Sequence, residues 1–190
     1  MSKISWKPGT MVYPLPAVMV SCGNNPEEYN IITIAWTGTI CTNPPMCYIS
    51  VRPGRHSYEI IKQRGEFVIN LTTNELSRAT DWCGVKSGRD YDKFREMKLT
   101  PGKAEKIDAP IIVESPVNIE CVVKEIKELG VHHMFLAEVV NIQATEKYLD
   151  PNTGKFELAA TNPLIYIHGA YYQTGKKLGK FGFSVEKKKK

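Results

Sequence analysis

No apolar stretch of this chain approaches the roughly 18 residues needed to cross a bilayer as a helix, so a membrane-spanning segment is not expected. Its five cysteines (Cys22, Cys41, Cys47, Cys83 and Cys121) are an odd number at wide, irregular spacings, a poor basis for a disulfide framework. The N-terminal Met1-Ser-Lys-Ile-Ser-Trp6 lacks the apolar core of a secretory signal, and reduced thiols in a cytoplasmic protein are the expectation. No Cys or His pair has zinc-ligand spacing, so no metal is expected. Gly84-x-x-x-Gly88 lacks the Lys-Ser/Thr ending of a phosphate-binding loop. Gly175-x-x-x-Gly179-x-x-Gly182 lacks both the Gly-x-Gly turn and a preceding strand-helix-strand unit. No serine or cysteine lies in a nucleophile elbow.

Charge of one sign is also scarce. The formal net charge is +5, but residues Glu186 to Lys190 supply +3 of it and leave only +2 on the body. The tail reads as a solvated end, with a phosphate-seeking arm as the other reading. A β-barrel that binds single-stranded nucleic acid through this tail and exposed aromatics is the alternative from a different functional class. What remains is the composition of a globular protein, 42% hydrophobic and 24% charged, with 12 Pro and 14 Gly scattered along it. A chain of 190 residues can bury most of its apolar surface in one core, so residues 1–190 are read as a single domain.

The apolar pattern is mainly that of strands. Thr10 to Cys22 reads as a strand that starts on an edge because of its prolines, and Gly23-Asn-Asn-Pro26 turns it. Asn30 to Thr39 and Met46 to Val51 are β-branched and aromatic runs separated by Thr42-Asn-Pro-Pro45. A short helix over Tyr58 to Lys62 follows, with Ser57 suited to cap it and Gly65 to stop it. Glu66 to Leu71 is a strand, and a helix is expected from about Thr73 to Cys83. Gly84 to Leu99, polar and charged, reads more as loop or short helix than as core. Val117 to Ile126 and His132 to Ala144 form a long hairpin, and Leu164 to His168 is a last short strand. Long antiparallel strands imply barrel closure rather than parallel crossovers, with two or three helices in a mainly β fold.

Several residue groups carry chemistry. Ser57 at a helix start offers a hydroxyl near backbone N–H groups, while Arg52, Arg55 and His56 add positive charge, a mould for a phosphate. The same charges would equally solvate a turn. Thr33-Ile-Ala-Trp-Thr-Gly38 places small Ala35 and Gly38 beside Trp36, a slot for a flat ring, although a tryptophan in a β protein also serves as core. His132 and His133 face opposite ways if both lie on a strand, so at most one can face a ligand. His168, at a strand end, is a weaker candidate, and Lys93 alone reads as a surface lysine.

In order and spacing these segments resemble the flavin reductase-like family of FMN-binding split barrels, within it the flavoredoxin-like branch. The resemblance runs through Asn30-Ile-Ile-Thr-Ile-Ala-Trp36, Thr42-Asn-Pro-Pro45, Ile49 to Ser57, Gly65 to Asn70, Ser87-Gly-Arg-Asp-Tyr-Asp-Lys-Phe94, Leu99-Thr-Pro101, the His132 strand, Asn162-Pro-Leu-Ile-Tyr166, Gly169-Ala-Tyr-Tyr172 and Gly182-Phe-Ser184. It implies a Greek-key-like split β-barrel that forms a homodimer, with bound FMN carrying the chemistry and no catalytic residue strictly required. It implies Asn30 and Trp36 beside the flavin, the backbone of Thr33, Ile34, Ala35, Trp36 and Thr37 along the ring, and Ser57 with Arg52 or Arg55 at the phosphate. Lys93 would add a second charge and His132 would reach the flavin from the hairpin, while His56 has no assigned role. The implied activity passes electrons from NAD(P)H, docked by stacking on the flavin, or from a redox partner, to free flavin, ferric iron or a protein acceptor. An electron carrier without nicotinamide turnover is the alternative on the same scaffold.

Overall fold

A computed structural model describes residues 1–185 of the chain. The lysine tail therefore lies outside the described residues. In chain order the strands and helices are β1 (Leu15–Pro16), β2 (Val18–Cys22), β3 (Asn30–Ile34), β4 (Thr37–Cys41), β5 (Met46–Val51), α1 (His56–Arg64), β6 (Glu66–Leu71), α2 (Ser77–Val85), α3 (Lys93–Glu96), β7 (Pro101–Gly102), β8 (Ile111–Ile112), β9 (Val117–Glu128), β10 (His133–Ala144), β11 (Leu164–Ile167) and β12 (Ala170–Gln173). Seven strands form one antiparallel sheet in the order β3-β2-β6-β9-β10-β5-β4. A smaller sheet runs β1-β11-β12, and β7 pairs with β8.

The order of the large sheet forces its shape. Its edge strands β3 and β4 are consecutive in sequence and joined only by Ala35 and Trp36. Three Cα steps reach at most about 11 Å, whereas six inter-strand spacings make a flat sheet about 29 Å wide. The sheet must curl until its edges nearly meet, giving a barrel split along the β3–β4 seam. Register shifts in the β9–β10 ladder at Leu136/Ala137 and Val139/Asn141 add the local bending that such closure needs.

Alternation along the strands sorts side chains into two cores. Val18, Val20 and Cys22 of β2, with Ile32 and Ile34 of β3, face the barrel interior beside Phe67 and Phe135, and Tyr58, Ile60 and Ile61 of α1 join them. Met19 and Ile31 point outward under Leu76, Ala79, Cys83 and Phe94 from the α2–α3 layer. Strand β2, paired on both sides, is consequently buried along its whole length. The Cys47 and Cys121 thiols touch in the interior at 3.5 Å. Both are free thiols, on strands that flank β10.

Five expectations change. The Asn30 to Thr39 run is two strands, broken at Ala35–Trp36 by the closure. The first strand starts at Leu15, not Thr10, and is interrupted at Ala17. Ser57 does not cap α1: the N-cap position is Arg55, and the Ser57 hydroxyl accepts a hydrogen bond from Asn30 Nδ2 at 2.7 Å. The second helix begins at Ser77 rather than Thr73, and β12 follows the supposed last strand. Gly65 does end α1, at φ 70°, its N–H bonding Ile61 O.

A buried carboxylate ties the sheet to its flank. Glu120 on β9 is fully buried and accepts from Lys106 N at 2.7 Å, Asn141 Nδ2 at 2.8 Å, Glu105 N at 3.0 Å and Gln143 Nε2 at 3.0 Å. Burial pushes its pKa up, but these hydrogen bonds together outweigh that and hold it below the ordinary carboxylate value. A depressed folded-state pKa gives stability that is complete above the unfolded pKa and lost as pH falls through the folded one. Glu120→Ala, which strands four donors, is expected to lower the unfolding free energy by about 3 kcal/mol in urea denaturation. Glu120→Gln should flatten the acid limb of the stability profile.

Candidate functional site

The seam that closes the barrel is also where the chain leaves backbone groups unused. Ala35 O accepts from Thr37 N at 3.0 Å and Trp36 O from Ser50 N at 2.9 Å, but among the described residues the Ala35 and Trp36 N–H groups donate to no backbone carbonyl. Beside them opens a slot of about 300 Å³. One wall is Ile32, Thr33, Ile34, Ala35 and Trp36 with Arg52, Arg55 and His132, and the other is Asp81, Gly84 and Val85 of α2 with Tyr166 and Tyr171 of the small sheet. The Trp36 and His132 rings lie nearly parallel, 10° apart, with centroids separated by 6.4 Å.

Arg55, Ile32 and Gly84 also line a second space of about 140 Å³, so a corner adjoins the slot. Arg55, Lys86, Arg89 and Lys93 border this corner together with Asn30, His56, Ser87 and Gly88, and among the described residues no carboxylate does. Arg89 is held there by a bond from Nη1 to Gly54 O at 3.2 Å. Close packing shapes the corner: a Cβ on Gly88 would meet Asn30 Oδ1 at 2.2 Å and His56 Cδ2 at 2.8 Å. One on Gly84 would meet the Thr33 Cβ at 3.1 Å, so α2 rests against β3 where the Thr33 hydroxyl donates to Thr80 O.

Lys93 corrects the surface reading of the charged 84–99 segment. Its side chain is buried, and Nζ donates to Ile31 O and Cys83 O at 2.7 Å each. The ammonium has three donors, so one remains after these two bonds. Burial lowers its pKa to about 8, partly offset by the neighbouring Cys83 and Cys22 side chains, while the Arg55 charge adds to the lowering. His56 is likewise lowered by burial, then by Arg89 and Lys93, and His132 by burial, then by Arg52 and Arg55. Cations are crowded here and both imidazoles are biased to neutrality, an arrangement relieved by an anion.

Of the residues singled out in sequence, Thr33, Ile34, Ala35, Trp36, Arg52, Arg55 and His132 line the slot, and Asn30, Arg55 and Lys93 line the corner. Thr37 and Ser57 line neither: the Thr37 hydroxyl donates to Tyr48 O at 2.6 Å, and Ser57 stands behind Asn30. His133 turns to the Tyr58 hydroxyl at 2.8 Å, and His168 stacks on Tyr13 at 5.3 Å. Sequence reasoning gave no site role to Gly84, Arg89, Tyr166 or Tyr171, which it met only within motifs, and did not single out Asp81 or Val85. The Gly84-x-x-x-Gly88 spacing was the available signal for the close approach, and it reads only as a failed phosphate loop.

Residues 10–175 match the profile of the flavin reductase like domain. The chain belongs to the flavin reductase-like family. Among solved structures, flavoredoxin of Desulfovibrio vulgaris (Miyazaki F) is 30% identical with a TM-score of 0.89, over 97% of this chain and 100% of that one. Flavoredoxin from Methanosarcina acetivorans is 27% identical with a TM-score of 0.87, over 98% and 100%. An NADH-dependent FMN reductase of Streptomyces nodosus subsp. asukaensis is 23% identical over 158 residues, 83% of this chain and 77% of the relative. The split barrel of the family accounts for the curled sheet. Among the described residues no helix is long and apolar enough to cross a membrane, and no cluster of His, Cys, Asp or Glu could hold a metal ion.

The depressed Lys93 pKa has a measurable sign. Between about pH 8 and the ordinary 10.5 the unfolded chain holds the Lys93 proton more often than the folded one, so this group's contribution to stability rises with pH across that window. The ligand-free protein is expected to show that rise in urea unfolding and Lys93→Met to lack it.

Proposed function

We propose that the slot and corner bind FMN, and that the protein is an oxidoreductase passing electrons from NAD(P)H or a redox partner to free flavin, ferric iron or a protein acceptor. The observation that carries this reading is a corner bordered by four cations and, among the described residues, no carboxylate, adjoining a slot walled by Trp36, His132 and tyrosines. A dianionic phosphate suits the first, and a planar ring suits the second. Asn30, Arg55, Arg89 and Lys93 would hold the phosphate, with Ser57 fixing the Asn30 amide. The free N–H groups of Ala35 and Trp36 would serve the polar edge of the ring, and neutral His132 would supply one ring nitrogen as donor or acceptor. Bound FMN would supply acceptance of a hydride and release of single electrons. Placement of that ring, exclusion of water and stabilisation of added negative charge by Arg52, Arg55 and Lys93 fall to the protein.

The flavoredoxin-like structures favour a second reading, an electron carrier that turns over no nicotinamide. In either case a homodimer of one-domain subunits is part of the proposal. Exposed Ile4, Trp6, Met11, Phe181 and Phe183 near the two ends supply apolar surface for a second copy.

The purified protein is expected to be yellow and to release FMN on denaturation, and anaerobic NADH or NADPH should bleach it. Colour that persists with both nicotinamides selects the carrier, and a protein that takes up no FMN overturns the proposal. Gly88→Ala, which displaces Asn30, is expected to weaken FMN binding about tenfold, the worth of about one charge-assisted hydrogen bond. Affinity should also decline as pH rises through about 8, where free Lys93 discharges.

A further inference from the structure

The cations around the slot do not all belong to the corner. Arg52 and Arg55 also border an open space of about 520 Å³, where Pro53, Gly54, Gly130 and Val131 complete the lining and, among the described residues, no carboxylate does. The side chains of both arginines are exposed and form no ion pair or hydrogen bond among the described residues. Opposite them in this space is the tip of the β9–β10 hairpin, a turn closed by Leu129 N on His132 O at 3.0 Å, with Gly130 at φ 95°. His132 borders the slot from that turn, and its neighbour Val131 stands 71% exposed near Leu129 at 60%. Val85, the last residue of α2, also borders the slot and is 68% exposed. Two neighbouring carboxylates are engaged elsewhere: Asp81 takes the Tyr171 hydroxyl, and Glu128 faces His133 Nδ1 at 4.0 Å.

We infer that the rim formed by Arg52, Arg55 and the hairpin tip is the docking surface for an acidic electron-carrier protein, which takes electrons from the flavin one at a time. The inference rests on the FMN reading and selects among its acceptors. Unpaired guanidiniums beside exposed aliphatic side chains give the charged and apolar points that a protein interface combines. A hydrated ferric ion, itself a cation, is repelled from the same rim. A two-fold contact of a second copy centred here would set these arginines against their own counterparts, so the rim is left for a different partner. His132 joins the two surfaces, its ring in the slot and its backbone in the exposed turn, so a protein docked on Val131 comes within one residue of the slot. In each cycle reduced FMN gives one electron to each of two oxidised partner molecules and its two protons to solvent, which restores oxidised FMN.

The test uses the FMN-loaded protein, reduced anaerobically in light with a deazaflavin and EDTA, and two one-electron acceptors that share a fold. These are native cytochrome c, which is basic, and fully succinylated cytochrome c, which is acidic. Stopped-flow rates are taken per bound FMN at low and high salt. The succinylated form is expected to be reduced at least about tenfold faster at low salt, an advantage that salt removes. Arg52→Glu and, outside the slot lining, Val131→Glu should each slow it about tenfold and flatten its salt dependence, which a change in flavin potential alone would not do. Lys103→Glu controls for net charge: Lys103 O accepts from Gln143 Nε2 at 3.2 Å, towards the far end of β10 from His133 and about 33 Å along the strand. It should change the rate less than about twofold. The docking surface is overturned, with the FMN site standing, if native cytochrome c is reduced as fast as the succinylated form, if neither rim variant flattens the salt dependence, or if Lys103→Glu acts as strongly as they do. If wild type retains no FMN, both readings fall.

Discussion

Closure of the large sheet through the two-residue Ala35–Trp36 link is the constraint on which the rest depends. Because β3 and β4 are opposite edges and yet covalent neighbours, no flat or openly twisted version of the sheet satisfies the chain. Curling brings β5 beside the link, where Ser50 N takes Trp36 O, and wraps β2, β3, β6, β9 and β10 around the Phe67 and Phe135 core. The seam cannot be a full ladder, since two residues make a corner rather than a strand. The gap is then walled from outside by α2 and the small sheet. Slot and barrel are two results of one short connection.

Electrostatics acts on that geometry at one end. Lys93 reaches inward from α3 to carbonyls of β3 and α2, and so fastens the helical layer to the sheet. It does this as a buried cation with Arg55 and Arg89 nearby and no carboxylate at the corner, at the cost shown by its lowered pKa. Glu120 shows what the fold does when a buried charge is purely structural: four donors satisfy it, and its pKa falls. Lys93 has two bonds and a spare donor, so its charge is less fully satisfied than that of Glu120.

Sequence order made some of this legible and hid the rest for physical reasons. Strand β6, the β9–β10 hairpin and the Gly65 stop follow from local chemistry, since β-branched alternation and a left-handed glycine act within a few residues. Asn30, Trp36 and Arg55 could be picked out because they lie in one compact stretch with a phosphate-like and ring-like character. The break at Ala35–Trp36 could not be, because the run is apolar throughout and only tertiary closure bends it. Lys93 looked solvated beside Asp92, Arg95 and Glu96, since a four-residue helix shows too little periodicity to reveal its inward side. Asp81 and Tyr171 are ninety residues apart and meet only because the small sheet packs over the seam.

The interrupted ladder also leaves donors at this place that folding does not use. In a complete sheet every backbone N–H is committed to a neighbour, and a ligand could gain it only by breaking a ladder bond. At the seam the Ala35 and Trp36 carbonyls are already taken and their N–H groups are not, so a ligand acceptor adds bonds without removing any. The glycines act on the same principle. Gly84 and Gly88 let α2 and its following loop approach β3 and Asn30 at distances that side chains would prevent. The site is thus made from what barrel closure cannot pair, and its walls from what glycine allows to come near.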